Sequence, residues 1–171
     1  MADDTRVTDL IRLDHDWFRG KFAALQQARG DDAALPALWK ELSDRLEVHA
    51  AAEETLFYPR LLKDDKDSVD DTQDAIRDHN EIRDGIRDSE AHAIGGEAWW
   101  KAVEAATKAN TEHMEEEEAG PLREFDDFAS PDEQADVAAA FAAFERDHAG
   151  RRGISTEDKD PDRYIEEHAP G

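Results

Sequence analysis

The sequence predicts an all-α protein: an up-down-up-down four-helix bundle with a short fifth helix and a polar C-terminal arm. Apolar residues recur at helical spacing in four long segments of the 171-residue chain. Short polar or glycine-containing stretches separate these segments, as expected for antiparallel neighbours in a bundle. Strand-like alternation is nearly absent.

The first two helices are predicted at residues 5–29 and 35–62. Gly30 ends the first helix, and Pro36 suits the first turn of the second. Residues 63–67 form a polar loop. The inward stripes mix apolar side chains with histidine and glutamate: Val7, Ile11, His15, Phe18, Phe22 and Leu25, then Leu38, Leu42, His49, Glu53 and Leu56.

The next two helices are predicted at residues 69–93 and 97–119. The pair Gly95-Gly96 closes the third helix, and Gly120 with Pro121 ends or kinks the fourth. Their stripes have the same mixed character: Ile76, His79, Ile82 and Ile86, then Trp99, Val103, Ala106, His113 and Glu117.

A capping box from Ser130 to Glu133 predicts the fifth helix. Its apolar stripe consists of Val137, Phe141 and Phe144. The chain then becomes polar, which predicts a mobile arm. We therefore expect a helical domain at residues 1–149 and a flexible tail at residues 150–171.

Composition limits the function. The chain is long enough for one domain with a sizeable core, and it has no cysteine, which excludes thiolate ligands, disulfides and thiol catalysis. A net charge of −23 disfavours nucleic acid and anionic membranes as partners. Because residues 1–5 have no signal-peptide character and no long apolar run occurs, we expect a soluble, cytoplasmic protein.

One constellation of histidine and glutamate occurs twice at the same spacing. His15 precedes His49 by 34 residues, and Glu53 follows four residues later. Adding 64 to each position gives His79, His113 and Glu117. The flanks repeat as well: Asp14 with Asp78, Phe18 with Ile82, Arg19 with Arg83, Phe22 with Ile86, and Glu54 with Glu118. A duplicated half-site indicates one shared centre.

The six repeated residues lie on the apolar stripes, where leucine or isoleucine would ordinarily be found. A buried, uncompensated carboxylate costs several kcal/mol. Two carboxylates among four imidazoles would also repel each other and raise each other's pKa unless a cation lay between them. The pattern therefore predicts a metal site, and the mixed ligand set suits iron or manganese, with zinc as a further alternative.

These residues resemble the hemerythrin-like, or HHE cation-binding, domains. The resemblance covers roughly residues 5–127 and rests on His15, His79, the segments His49–Glu53 and His113–Glu117, and the continuation Glu53–Pro59. It implies a four-helix bundle around two irons joined by carboxylates and an oxo or hydroxo group. By this resemblance His15 and His49 would bind one iron, His79 and His113 the other, and Glu53 and Glu117 would bridge them.

The chain departs from the oxygen-carrying members of that family at two positions. Those carriers have a fifth histidine one turn after the third, where this chain has Arg83, the repeat mate of Arg19. They also bridge with an aspartate five residues after the last histidine, where this chain has Glu118. A residue at +4 lies about 40° round the helix and one at +5 about 140°, so Glu117 is favoured unless a π-bulge re-aims the turn.

Glu118 and Glu54 are therefore alternative metal ligands. Arg83 and Arg19 are candidates for positions just outside the ligands, where an arginine could hydrogen-bond a bound oxygen species or pair with an acidic neighbour. A salt-bridged surface position is favoured for Arg83. A tyrosine ligand is not expected, because Tyr58 would lie on the opposite side of its helix and Tyr164 in the arm. His92, His148 and His168 do not repeat and are expected at the surface or at helix ends.

The missing fifth histidine implies a more symmetric and more open centre than that of a carrier. This favours reaction with hydrogen peroxide, O2 or nitric oxide, with peroxide decomposition as the favoured activity. The alternative is a non-enzymatic protein that binds, senses or stores O2, nitric oxide or iron. The sequence does not name the oxidant or a protein partner.

Overall fold

The computed structural model describes residues 4–171. Residues 1–3, which enter the predicted domain and the opening segment, lie outside the described residues. Two short 3₁₀ turns, Lys66–Ser68 and Ala149–Arg151, join longer elements. In chain order those elements are α1 Val7–Gln27, α2 Leu35–Ala52, a π-helical turn Glu53–Phe57, α3 Tyr58–Asp64, α4 Val69–Glu90, α5 Glu97–Ala119, α6 Pro121–Phe128, α7 Pro131–Asp147 and α8 Pro161–His168.

The four long helices close into a ring, in which α1 contacts α2 and α5, and α4 contacts the same two helices. This arrangement confirms the predicted all-α bundle. The approach of α4 to α5 is especially close at Gly85, where an added Cβ would lie 2.8 Å from the Cβ of Ala106. At this position only glycine, which has no Cβ, leaves room for the neighbouring backbone.

Two apolar clusters lie on either side of the repeated polar residues. Along α1, Ile11 belongs to one cluster and Phe18 to the other, with His15 between them. Along α4, Ile76 and Ile82 enclose His79 in the same way. The histidines and glutamates thus form a polar layer across the middle of the bundle, isolated from water by hydrophobic residues above and below.

The second predicted helix widens into the π-helical turn before Pro59. Proline lacks an N–H, and its ring clashes with the carbonyl four residues earlier in a regular α-helix. A π-turn accommodates one extra residue and relieves this clash. The predicted helix 35–62 ran through Pro59 without a break, so Tyr58, the first residue after the turn, was assigned to the wrong face.

The fifth predicted helix is α7, and the shorter α6 precedes it. The Ser130 hydroxyl accepts a hydrogen bond from the Glu133 backbone N–H at 3.1 Å, as the capping box predicted. With 17 residues, α7 is almost as long as α2 and packs against α1 and α2. Its Phe141 ring lies 5.8 Å from the ring of His49. The fifth helix therefore covers one side of the polar layer.

The C-terminal arm, residues 150–171, differs from the flexible tail that its polar composition predicted. Residues 161–168 form α8, which packs against α4. Tyr164 is only 4 % exposed, and Arg151 pairs with Asp44 at 2.7 Å. Pairing with polar side chains of the bundle, rather than apolar burial, holds most of this segment, which is why hydropathy alone missed it. Between residues 4 and 171, no helix combines the length and apolar character needed to span a membrane.

Candidate metal centre

The four repeated histidines converge on one point with their Nε2 atoms inward. They come from α1, α2, α4 and α5, one from each bundle helix. All are buried, with at most 4 % of the residue surface exposed: His15, His49, His79 and His113. The Nε2 atoms of His79 and His113 are 3.2 Å apart. The duplicated spacing therefore does bring the two half-sites into a single cluster.

The two repeated glutamates lie between the histidine pairs. Glu53 places Oε1 2.6 Å from His49 Nε2 and Oε2 3.0 Å from His79 Nε2. Glu117 places Oε1 3.3 Å from His15 Nε2 and Oε2 3.4 Å from His113 Nε2. Each carboxylate therefore offers one oxygen to each histidine pair, which is the arrangement that a bridging ligand requires.

The donor atoms fall into two overlapping groups, each with its ligand atoms within 4.8 Å of one another. One group contains His15, His49, Glu53 and Glu117, and the other contains Glu53, His79 and His113. Several of these buried atoms make no hydrogen bond: Nε2 of His15 and His49, and Oε1 of Glu53 and Glu117. Buried polar atoms normally have partners. A cation bound among them would supply the missing interaction, so the residues fit a metal.

The outward Nδ1 atom of each histidine faces a carboxylate. Asp14 holds His49 at 2.9 Å, and its repeat mate Asp78 lies 3.5 Å from His113. Glu118 holds His15 at 2.8 Å, and its mate Glu54 holds His79 at 2.8 Å. Such partners fix the tautomer and the ring orientation of metal-binding histidines, so all four rings are prepared to offer Nε2 to the centre.

The proposed alternative ligands Glu54 and Glu118 therefore lie outside the central group. The fourth bundle helix, α5, remains a regular α-helix through Ala119, so the +4 geometry places Glu117 inward and Glu118 outward. Counted from His49 in α2, the same +4 geometry places Glu53, the first residue of the π-helical turn, inward. The outer carboxylates repeat at 64 residues like the ligands, and this repetition was the sequence signal for their supporting role.

A third group of potential ligands lies beside the centre and contains Asp14, His49 and Glu145. The Asp14 carboxylate accepts from Arg45 at 2.8 Å as well as from His49. Burial acts to raise the pKa of Asp14, but hydrogen bonding to His49 outweighs burial and keeps this pKa below its usual range. Asp14 is thus already neutralised by cationic neighbours, in contrast to the orphaned atoms of the central groups.

Within the cluster, protons on the buried imidazoles balance the negative charge of the carboxylates. Burial favours neutral imidazole, but Glu117, Asp78 and Glu53 outweigh it and raise the pKa of His113 to about 10. Burial also opposes ionisation of Glu53, yet its pKa lies well below the usual range because of His49 and the other imidazoles. A metal ion must displace these protons, so metal binding weakens as the pH falls.

Tyr58 contacts the centre, contrary to the sequence prediction. Its hydroxyl donates a hydrogen bond to Glu117 Oε2, and its ring lies 6.2 Å from that of His79. Nine residues after His49, a regular α-helix would place Tyr58 about 180° away. Because the π-turn contains one extra residue, Tyr58 is rotated about the helix axis towards the centre.

The two repeated arginines pair with the outer glutamates. Arg83 makes a two-pronged contact of 2.9 Å with Glu54, and Arg19 contacts Glu118 at 2.9 Å. Arg83 was expected at the surface, but it is only 1 % exposed. The position of the carriers' fifth histidine is therefore occupied by a buried cation that faces a carboxylate instead of the centre.

The other three histidines lie away from the centre, as predicted. His92 is exposed. His148 is the residue at the C-terminal end of α7 and contacts the Arg152 carbonyl at 2.6 Å. His168 ends α8 and stacks on Tyr164 with ring centroids 4.1 Å apart. None of them belongs to a group that could hold a metal among the described residues.

A small acidic cavity of about 30 Å³ reaches the centre between α4 and α5. Its inner wall includes Tyr58, His113 and Glu117. Its outer wall is acidic and consists of Asp71, Asp74, Asp78 and Glu116. This volume is close to that of one water molecule, so the cavity admits small molecules or ions only.

Fold and donor set together define a helical bundle with a buried histidine and carboxylate cluster that could hold a metal. The chain belongs to the hemerythrin HHE cation binding domain family, whose model matches residues 6–124. The resemblance found in the sequence is thereby confirmed. Comparisons with curated proteins and with solved structures gave no match. The matched range includes all six repeated residues and ends before α7 and the C-terminal arm.

Proposed function

We propose that the chain is a non-haem di-iron protein. His15 and His49 would hold one iron, His79 and His113 the other, and Glu53 and Glu117 would bridge. The single observation that carries this proposal is the pair of overlapping donor groups that share Glu53. The orphaned Nε2 and Oε1 atoms support a cation in the first of these groups, because one ion bound among His15, His49, Glu53 and Glu117 would satisfy all four atoms. Imidazole and carboxylate together suit iron, with manganese or zinc as the alternatives.

We further propose that the centre consumes small oxidants, hydrogen peroxide above O2 or nitric oxide. An iron pair supplies the electrons for such chemistry when it is bound. Peroxide decomposition turns two molecules of hydrogen peroxide into one O2 and two waters, one peroxide being oxidised while the other is reduced. No side-chain nucleophile is needed, which fits a chain without cysteine.

Arg83 supports consumption over reversible carriage. Two histidines and two shared carboxylates would give each metal four protein bonds, and no fifth histidine would add to them. Arg83 cannot take that role because its guanidinium has no lone pair to offer a metal and is engaged with Glu54. Both metals would therefore keep open positions, so that one oxidant could contact both.

Tyr58 supplies a proton donor beside these positions. Burial raises the pKa of its hydroxyl well above the usual value, and the nearby Glu117 carboxylate raises it further. The phenol therefore stays protonated and holds Glu117 Oε2 in place. The cavity next to Tyr58 has about the volume of one water molecule, so it excludes large substrates, which supports small oxidants over them.

The test begins with chain expressed in iron-replete cells, which should contain two irons. Added hydrogen peroxide should then yield O2, and His79→Ala should abolish this activity while the exposed-site control His92→Ala preserves it. A metal content well below one per chain would refute the di-iron proposal. If the protein is reduced under argon and then returns to its starting spectrum through repeated O2 cycles, it is a carrier. If it binds iron but shows neither behaviour, the sensing or storage alternative replaces the proposal.

A further inference from the structure

The C-terminal arm lies along one polar face of α4. Three polar side chains spaced seven residues apart on α4 donate hydrogen bonds to it: Gln73 to the Asp162 carboxylate at 2.7 Å, Asn80 to the Lys159 carbonyl at 2.7 Å, and Arg87 to the Thr156 carbonyl at 3.1 Å. Asn80 also accepts from the Lys159 backbone N–H at 2.9 Å. This double contact fixes both the place and the direction of the arm at Lys159.

The two hydrogen bonds between Asn80 and the Lys159 backbone position two side chains of the arm next to Glu54. The Lys159 ammonium pairs with Glu54 Oε2, and the Tyr164 hydroxyl donates to the Glu54 backbone carbonyl at 2.5 Å. Glu54 is itself the carboxylate that holds His79 Nδ1. The arm therefore reaches His79 through one intermediate residue.

Glu118, the repeat mate of Glu54, receives no comparable support. Its side chain is 30 % exposed, and its cationic partner Arg19 is 40 % exposed. The Glu54 side chain is 1 % exposed and has both Arg83 and Lys159 as partners. A partly exposed carboxylate paired with one exposed arginine restrains its histidine less than a buried carboxylate enclosed by two cations.

We propose that the C-terminal arm is a positioning element of the metal centre, in which Lys159 and Tyr164 fix Glu54 and thereby the ring of His79. The arm lies beyond residues 6–124, the part that the family model matches, so this support is additional to the family's bundle. Its consequence for metal retention rests on the proposed di-iron function. Its consequence for His79 itself does not, because the contacts exist in the chain alone.

Removing Lys159 should leave the fold intact. Arg83 still neutralises Glu54 after the change, and Lys159 itself is 37 % exposed, so no buried charge is abandoned. Arg163→Met is the matched control, because it removes a cation from the same arm that pairs with Glu167 instead of Glu54. Lys159→Arg restores the charge and tests rescue.

The first readout is solvent exchange of the histidine Nδ1–H protons in metal-free protein, followed by NMR. In the wild type, His79 should exchange slowly and His15 quickly. Lys159→Met and Tyr164→Phe should each speed exchange at His79 about tenfold or more, with His49 unchanged and Lys159→Arg close to wild type. Unchanged exchange at His79 in Lys159→Met, or equal acceleration in Arg163→Met, would overturn the proposal.

The second readout is release of ferrous iron to a chromogenic chelator under argon. Lys159→Met should accelerate the loss of one of the two irons about tenfold, whereas Arg163→Met should accelerate neither. Equal acceleration of both irons would show a general loss of structure and contradict a local role. If the wild type binds no iron, the di-iron function fails, and the exchange experiment still decides the role of the arm.

Discussion

The centre has an α2 side, where Asp14 and Glu54 support His49 and His79, and an α5 side, where Glu118 and Asp78 support His15 and His113. The sequence repeat would make these two sides equivalent, but the structure makes them different. On the α2 side, α7 and the C-terminal arm cover Asp14 and Glu54, whose side chains are 7 % and 1 % exposed. On the α5 side, Asp78 and Glu118 are 22 % and 30 % exposed, and the acidic cavity opens. The duplicated residues determine which atoms face the candidate metal centre, whereas the unrepeated segments determine how far the carboxylates behind the histidines are buried.

This difference gives each histidine pair one firmly held and one loosely held ring. His49 and His79 are supported from the α2 side, and His15 and His113 from the α5 side. A small molecule that approaches through the cavity therefore meets the side on which the rings can adjust. The opposite side keeps the donors in place.

The largest expected effect is at the ligands, where the two half-sites should remain equivalent. His15→Ala and His79→Ala should each lower the iron content by half or more, because each removes an inward Nε2 from one donor group. Metal analysis after iron-replete expression measures this effect, with His148→Ala as the unaffected control. A variant that keeps both irons would remove that histidine from the ligand set.

The outer glutamates should distinguish the two sides. Glu54→Gln leaves the buried Arg83 with only the more distant Glu47 carboxylate, 3.6 Å away, as a charged partner and should lower the free energy of unfolding by about 3 kcal/mol. Glu118→Gln removes a partly exposed pair with Arg19 and weakens the contact with His15 Nδ1, and it should lower the free energy of unfolding by only about 1 kcal/mol, because Arg19 stays open to water. Urea denaturation of the metal-free proteins measures both. Equal losses would show that burial does not separate the two sides.

The duplication and the +4 geometry were sufficient to predict the four bundle helices and to place the six repeated side chains in one cluster, with Glu118 outside it. That these six residues bind metal, with Glu117 rather than Glu118 as a ligand, stays a prediction. The same two features were insufficient from the π-turn onward, because that turn depends on a local clash between the Pro59 ring and a carbonyl, which helical periodicity does not record. Tyr58 was therefore assigned to the wrong face. The arm was also missed, because Asn80 and Lys159 join it to the bundle through polar contacts that leave no apolar pattern.

A smaller effect is expected at Tyr58, which links the π-turn to the α5 side. Tyr58→Phe removes the donor to Glu117 Oε2 and leaves a buried carboxylate oxygen with one partner fewer. We expect the free energy of unfolding of metal-free protein to fall by about 1–3 kcal/mol. Iron content should remain at two per chain, since Tyr58 belongs to neither donor group. Loss of one iron in this variant would instead make Tyr58 a ligand.

Two glycines should respond to alanine substitution with stability changes of opposite sign, because only Gly85 lies at the contact of α4 with α5. Gly85→Ala forces a Cβ against Ala106 and should cost about 1–3 kcal/mol through overpacking. Gly20→Ala on α1 meets nothing within 4 Å and should stabilise the protein by about 0.5–1 kcal/mol, because alanine favours a helix. Thermal unfolding of both variants checks the opposite signs. A neutral Gly85→Ala would mean that α4 and α5 can separate without cost.

The most direct test of the central claim is anomalous diffraction at the iron edge from crystals of iron-loaded protein. A single two-metal centre predicts two iron peaks, one beside Nε2 of His15 and His49 and the other beside Nε2 of His79 and His113. Both peaks should lie within coordination distance of Glu53 and Glu117. A single peak, or a peak enclosed by Asp14, His49 and Glu145, would contradict it.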